Sequence, residues 1–78
     1  MPRKVLETLD ARGEKCPIPV ARAAKWLKAA APGAELRVES TDPSSVPDFA
    51  AWARTDDRLE LVSQSEEPGL FVHRIRRR

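Results

Sequence analysis

The chain is poor in several things, and each shortage removes a class of explanation. Its 78 residues include one cysteine, Cys16. No disulfide can therefore form within the chain, and a zinc site of the usual multi-thiolate kind is excluded. There is one histidine and no tyrosine, and aromatic residues make up only 5%, so stacking platforms for single-stranded nucleic acid are scarce. No stretch is long and apolar enough to span a membrane, and the opening MPRKVLETLD lacks the apolar core of a secretory signal. Net charge is only +2 although the pI is about 9.1. A global electrostatic drive toward nucleic acid is thus missing, and any basic partner surface must be local. A reduced, cytoplasmic setting is expected, in which a free thiol persists.

What is present reads as one small globular domain spanning residues 1–78. Charged residues are 33% and apolar residues 41%, a folded rather than a disordered composition. At this length a two-layer arrangement is the expected way to bury a thin core. Residues 4-KVLETLD-10 combine β-formers with partial alternation and predict a strand, with Val5 and Leu9 on one face and Leu6 and Thr8 on the other. A polar loop containing Gly13 follows. Val20, Ala24, Leu27 and Ala31 then fall at helical spacing, widened by Ala23 and Ala30, and predict a helix from about Pro17 to Ala31 that Pro32-Gly33 ends. Strand 35-ELRVES-40 alternates cleanly, with Leu36 and Val38 inward and Glu35, Arg37 and Glu39 outward. TDPSS is a turn into a second helix, where Ser45 and Asp48 have capping-box spacing and Val46, Phe49, Ala50 and Ala53 form the apolar stripe. Strand 58-RLELVS-63, a turn at SEEPG and strand 70-LFVHRIR-76 complete the chain. The two strand–helix–strand units predict parallel strands with both helices on one face, and the last two strands an antiparallel hairpin.

Cys16 stands where the first loop meets the first helix. Pro17 suits a first helical position and Pro19 is tolerated in the same turn, so Cys16 is expected as the cap residue. A thiolate there gains from the helix dipole and from the free N–H of Ile18, and Arg12, Lys15 and Arg22 add positive charge. The expected consequence is a somewhat lowered thiol pKa. Position alone leaves two readings open, a functional thiol and a small buried hydrophobe.

The segments 9-LDARGEKCPIPVARAAKWL-27, 40-STDPSSVPDFAAWAR-54 and 69-GLFVHRIRRR-78 resemble the TusA, or SirA-like, family of sulfur carriers. Asp10, Gly13, Cys16, Pro17 and Pro19 match the family's D-x-x-G-x-x-C-P-x-P motif. Thr41, Asp42, Pro43 and Asp48 match its T-D-P turn and the aspartate entering the second helix. Ile75, Arg76 and Arg77 match its terminal strand. Asp57-Arg58 stands where the family often has Gly-His. The resemblance implies an α+β two-layer sandwich, β-α-β-α-β-β, with a mixed four-stranded sheet of order 1-2-4-3 and two helices on one face. It implies that Cys16 carries sulfane sulfur as a persulfide, with Pro17, Pro19, Gly13, Asp10, Arg12 and Lys15 in support. The protein is then a persulfide carrier rather than a stand-alone enzyme, with no metal or organic cofactor beyond the transient persulfide. Its expected partners are a cysteine desulfurase or rhodanese as donor and a downstream sulfur-acceptor protein, in tRNA thiolation, molybdenum-cofactor metabolism or sulfur oxidation.

Two other functions fit parts of the chain. One is a thiol redox protein, which would need a partner to supply the resolving thiol. The other is an RNA- or protein-binding module that uses the basic terminus RIRRR. Charge at a strand end also serves simply to prevent edge-to-edge pairing, and the small net charge argues against direct nucleic-acid binding. His73, between Phe71 and Ile75 at strand spacing, is expected to be structural. Trp26 and Trp52 are expected at the margins of the core, and Asp10, Asp42 and Asp48 as turn or helix caps.

Overall fold

The computed structural model describes residues 6–78. The elements are β1 (Leu6–Ala11), α1 (Ile18–Ala29), β2 (Glu35–Ser40), α2 (Ser45–Thr55), β3 (Leu59–Glu67) and β4 (Leu70–Arg77). Lys4 and Val5, part of the expected first strand, lie outside the described residues. The sheet has the order β1-β2-β4-β3. β1 runs parallel to β2, and β4 runs antiparallel to both β2 and β3, so β2 and β3 point the same way. The expected mixed sheet and the two helices on one of its faces are both present.

The core lies between the sheet and the helices. Leu36 and Val38 of β2 stand opposite Ile75 and His73 of β4. With Ala11 and Leu59 they meet Ala23 and Leu27 of α1 and Phe49 of α2, all fully or almost fully buried. Trp26 and Trp52 pack at the margin of this cluster, and their indole N–H groups donate to Glu7 at 2.6 Å and Asp56 at 3.2 Å. Half-buried tryptophans with a paired N–H lose little by keeping one edge in water.

Several boundaries differ from those the sequence predicts. Helix α1 is shorter at both ends. Its buried line is Pro19, Ala23 and Leu27, while Ala31 lies beyond the helix and is exposed. Ala30 is already extended, because a helix continued to Pro32 would meet that ring's missing N–H and its clash with the preceding turn. Strand β3 runs four residues past Ser63, and the turn contracts to Pro68-Gly69, where Gly69 takes a φ of 73°. Gln64–Glu67 are weak β-formers, but β4 pairs with each of them, and satisfying the ladder outweighs propensity.

Around α2 the expected capping box does not form. The cap residue is Ser44, and no side chain caps the helix. Ser45 is buried instead, with its Oγ 2.8 Å from His73 Nε2. Gln64 Nε2 donates to the Val46 carbonyl at 2.8 Å and lies 3.1 Å from His73 Nδ1. That makes Nδ1 an acceptor, so Nε2 carries the proton and Ser45 Oγ accepts it. The imidazole stacks on Phe49 at 4.5 Å between centroids and 11° between planes. His73 is therefore a structural residue that ties the first turn of α2 to β4, as its strand spacing suggests.

The face of the sheet away from the helices holds β2's outward residues. Glu35 is nearly buried there, against expectation, because Arg74 at 2.9 Å and Arg76 at 3.8 Å cover it. Arg76 also reaches Glu60 at 2.6 Å, and Arg37 reaches Glu39 at 3.0 Å. The cross-strand pairs of Arg74 and Arg76 let the antiparallel part of the sheet face water.

Candidate functional site

The β1–α1 loop begins with a tight turn in which Glu14 N–H donates to the Ala11 carbonyl at 3.2 Å. Gly13 holds a φ of 80° in this turn, a conformation that costs an ordinary residue but not glycine. The Gly13 N–H then donates to Thr41 Oγ1, and the Cys16 N–H donates to Asp42 Oδ2, both at 2.8 Å. Asp42 Oδ1 accepts from the Ser44 N–H at 3.1 Å and hydroxyl at 2.8 Å. The T-D-P turn after β2 is thus a latch that clamps the loop bearing Cys16. Asp42 behaves as the expected turn cap, but what it caps includes a residue 26 positions away. A cleft of about 220 Å³ opens beside the latch, lined by Gly13, Glu14, Lys15, Thr41, Asp42 and Pro43.

Cys16 is free and exposed, which removes the buried-hydrophobe reading. It does not, however, cap the helix. The cap residue is Pro17, the Cys16–Pro17 peptide is cis, and the Ile18 N–H donates to the Lys15 carbonyl at 2.9 Å. The donor expected to face the sulfur is already used. Pro19 is buried under the corner, and Ile18 between the two prolines is exposed.

Two of the three cations expected around Cys16 are also committed elsewhere. Arg12 makes a two-point pair with Asp10, at 2.9 and 3.0 Å, and this holds the Asp10 carboxyl at about 2. Arg22 Nη1 bonds Glu14 at 2.6 Å and the Asp10 carbonyl at 2.9 Å. The sequence places these charges near Cys16, yet the fold brings acids to it. The Asp48 carboxylate is the largest influence on Cys16; desolvation follows, then the negative charges of Asp48 and Asp42. All of them push the thiol pKa above its ordinary value, which overturns the expected lowering.

Of the residues singled out in the sequence, Asp10, Arg12, Gly13, Lys15, Pro17 and Pro19 all lie on the corner with Cys16. Asp10 and Arg12 neutralise each other at its outer edge, and Lys15 acts on Asp42, helping to lower that carboxyl's pKa. Thr41, Asp42 and Asp48 were visible only as turn or cap candidates; their joint appearance with the Cys-Pro motif was the available signal. With no second thiol in the chain, any sulfur–sulfur bond at Cys16 must involve another molecule.

Comparisons with known proteins agree along most of the chain. The family model described as Sulfurtransferase TusA matches residues 7–77. The sulfur carrier protein TusA of Allochromatium vinosum is 44% identical over 71 residues, covering 91% of this chain and 92% of that protein. The sulfur carrier protein TusA of Pseudomonas entomophila is 38% identical over 74 residues, covering 91% and 88%. That of Pseudomonas fluorescens is 39% identical over 70 residues, covering 90% and 83%. With a latched Cys-Pro corner, a sheet of order β1-β2-β4-β3 and these matches together, the chain belongs to the TusA family.

Proposed function

We propose that this protein is a sulfur carrier that takes up sulfane sulfur as a persulfide on Cys16 and passes it to an acceptor protein. The observation that carries the reading is an exposed, solitary thiol on a corner clamped through its own backbone N–H. Clamping fixes where the sulfur sits, and exposure lets a partner's sulfur approach it. The names of the relatives support the same reading.

In loading, the Cys16 thiolate attacks the outer sulfur of a donor persulfide. A bond forms from Cys16 to that sulfur, the donor's S–S bond breaks, and the electron pair leaves on the donor's thiolate. In unloading, an acceptor thiolate repeats the attack on the sulfur now held by Cys16. A cysteine desulfurase or a rhodanese fits the donor role. No metal or organic cofactor is required by this chemistry, and a reducing cytoplasm keeps the empty thiol free.

The test is intact mass under non-reducing conditions after incubation with cysteine desulfurase and cysteine. Gain of one sulfur atom, reversed by reductant and absent in Cys16→Ala, is expected. No gain with several desulfurases and rhodaneses would sink the reading.

A further inference from the structure

Three large apolar side chains are exposed among the described residues: Leu6, Ile18 and Val62. Single exposed apolar residues are ordinary on a protein surface, so exposure alone says nothing about them, but their places differ. Leu6 opens β1, roughly 17 Å along the strand from Ala11, where the Cys16 loop begins. Val62 lies on β3, which the sheet order sets about 14 Å across from β1. Ile18 is two residues from Cys16, no more than about 8 Å between Cα atoms. It ends an unbroken exposed run of Lys15, Cys16, Pro17 and Ile18.

Ile18 also breaks the pattern of its helix. The buried line of α1 is Pro19, Ala23 and Leu27. By helical spacing Ile18 shares a face with Arg22 and Lys25, both exposed, so it is an apolar residue on a charged face. It remains 46% exposed, which leaves much of its apolar surface for another molecule to cover. The fold holds it still. The Cys16 N–H donates to Asp42 at 2.8 Å, the Ile18 N–H to the Lys15 carbonyl at 2.9 Å, and the Ala21 N–H to the Pro17 carbonyl at 2.9 Å. Proline on either side fixes the backbone, and a β-branched side chain is stiff at χ1. A preordered side chain gives up little freedom when it is covered. The arginines of this corner are spent on Asp10 and Glu14, so apolar burial of Ile18, rather than a new ion pair with them, is the available source of affinity.

What covers Ile18 follows from the chemistry at Cys16. Sulfur transfer needs the reacting sulfur within about 3–3.5 Å of Sγ. A protein interface of ordinary size covers roughly 800 Å² on each partner, a patch roughly 16 Å in radius. A protein that delivers sulfur to Cys16 therefore covers Ile18 as well. We propose that Ile18 is the specificity-determining contact for the sulfur-donating protein, and that it fits a donor with an apolar pocket beside its persulfide-bearing cysteine. The proposal rests on the sulfur-carrier reading. Small sulfur donors need no such contact, so Ile18 favours loading by a protein over loading by polysulfide in solution.

The experiment compares the parent with Ile18→Asn and Ile18→Leu. Asn adds no charge that would itself disturb the thiol, and Leu keeps the apolar volume. Loading by a cysteine desulfurase with cysteine is followed by intact mass over a range of carrier concentrations. Ile18→Asn is expected to raise KM for the carrier roughly tenfold with kcat unchanged, and Ile18→Leu to stay within about twofold of the parent. Loading by inorganic polysulfide and alkylation by iodoacetamide are expected to be the same in all three proteins; altered folding or thiol acidity would move both. The parent's KM in a folded Ile18→Asn protein overturns the proposal and leaves the carrier reading standing. Equal slowing of polysulfide loading overturns it too, because Ile18 then acts on the thiol and not on the donor. Should Ile18→Asn not fold, Ile18→Ala decides: a several-fold rise in KM supports the proposal, and an unchanged KM overturns it. A parent that no desulfurase or rhodanese loads sinks the carrier reading, and this proposal with it.

Discussion

The acidity of a thiol depends on what surrounds it in space, and here the spatial neighbours oppose the sequence neighbours. Arg12 and Arg22 are close in sequence to Cys16 but spend their charge on Asp10 and Glu14. Asp42 and Asp48 are far in sequence, yet their negative charge raises the thiol's pKa. Removing the carboxylate that grips the Cys16 N–H tests the latch: Asp42→Ala is expected to lower the thermal midpoint by a few degrees and to broaden the exposure of the loop to proteolysis. His73 gives a second prediction at this scale. Burial lowers its pKa from 6.5 to about 4. Between those values the unfolded chain binds a proton that the native protein refuses, so stability falls as pH drops. The contribution is complete above about 6.5 and is lost on the way down to about 4, a change of roughly 3 kcal/mol. Urea denaturation at a series of pH values should show this slope, and His73→Phe should flatten it. The loss belonging to Asp10, whose carboxyl is held at about 2, falls at lower pH and is separable.

At the scale of elements, most of the pattern was legible. The alternation in ELRVES and LFVHRIR fixed which residues of β2 and β4 face the helices, because a strand's side chains alternate whatever its neighbours are. Helix ends were less legible. Ala31 belonged to the helical stripe by spacing, but backbone constraints imposed by Pro32 decided the end. Ser45 and Asp48 had capping-box spacing, yet a buried imidazole claimed Ser45 and no side chain caps the helix. The turn at Gly13 yields a direct prediction. A Cβ there would touch nothing within 4 Å, but the φ of 80° disfavours any side chain. Gly13→Ala should therefore cost about 1 kcal/mol through backbone strain alone, read as a shift in urea midpoint with unchanged slope. Phe49, fully buried and in contact with His73 and Trp52, is the larger anchor of α2. Phe49→Ala is expected to cost roughly 3–5 kcal/mol and to loosen the turn that carries Asp48.

At the scale of the whole fold, the charges on the open face of the sheet and at the basic terminus are arranged by pairing among the described residues. Arg74 and Arg76 neutralise Glu35 and Glu60 on the open face of the sheet. Arg77 Nη1 donates to the Arg58 carbonyl at 3.2 Å and Arg78 Nε to the Leu59 carbonyl at 3.0 Å. Backbone bonds at 2.8 Å join Arg77 to both Gly33 and Ala34. The basic terminus is engaged in closing the fold, which supports the structural reading of RIRRR over an RNA-binding one. Deleting Arg77 and Arg78 should lower the thermal midpoint and leave a weak, salt-sensitive RNA shift no different from the parent's. A parent protein that shifts RNA strongly, and loses the shift on truncation, would reverse that reading. No described helix is long and apolar enough to cross a membrane.

The sequence by itself determined the order of the elements, the residues that line the core, and the place of Cys16 in a Cys-Pro corner between strand and helix. These depend on local periodicity, on the fixed φ of proline and on a motif shared along the chain. Only the tertiary structure decided the electrostatic surroundings of that thiol. It joined the loop after β1 to the turn after β2, spent the local arginines on local acids, and brought the negative charges of Asp42 and Asp48 to bear on the sulfur. Burial and through-space charge, which no spacing in the sequence encodes, are what turned an expected lowering of the thiol pKa into a raising.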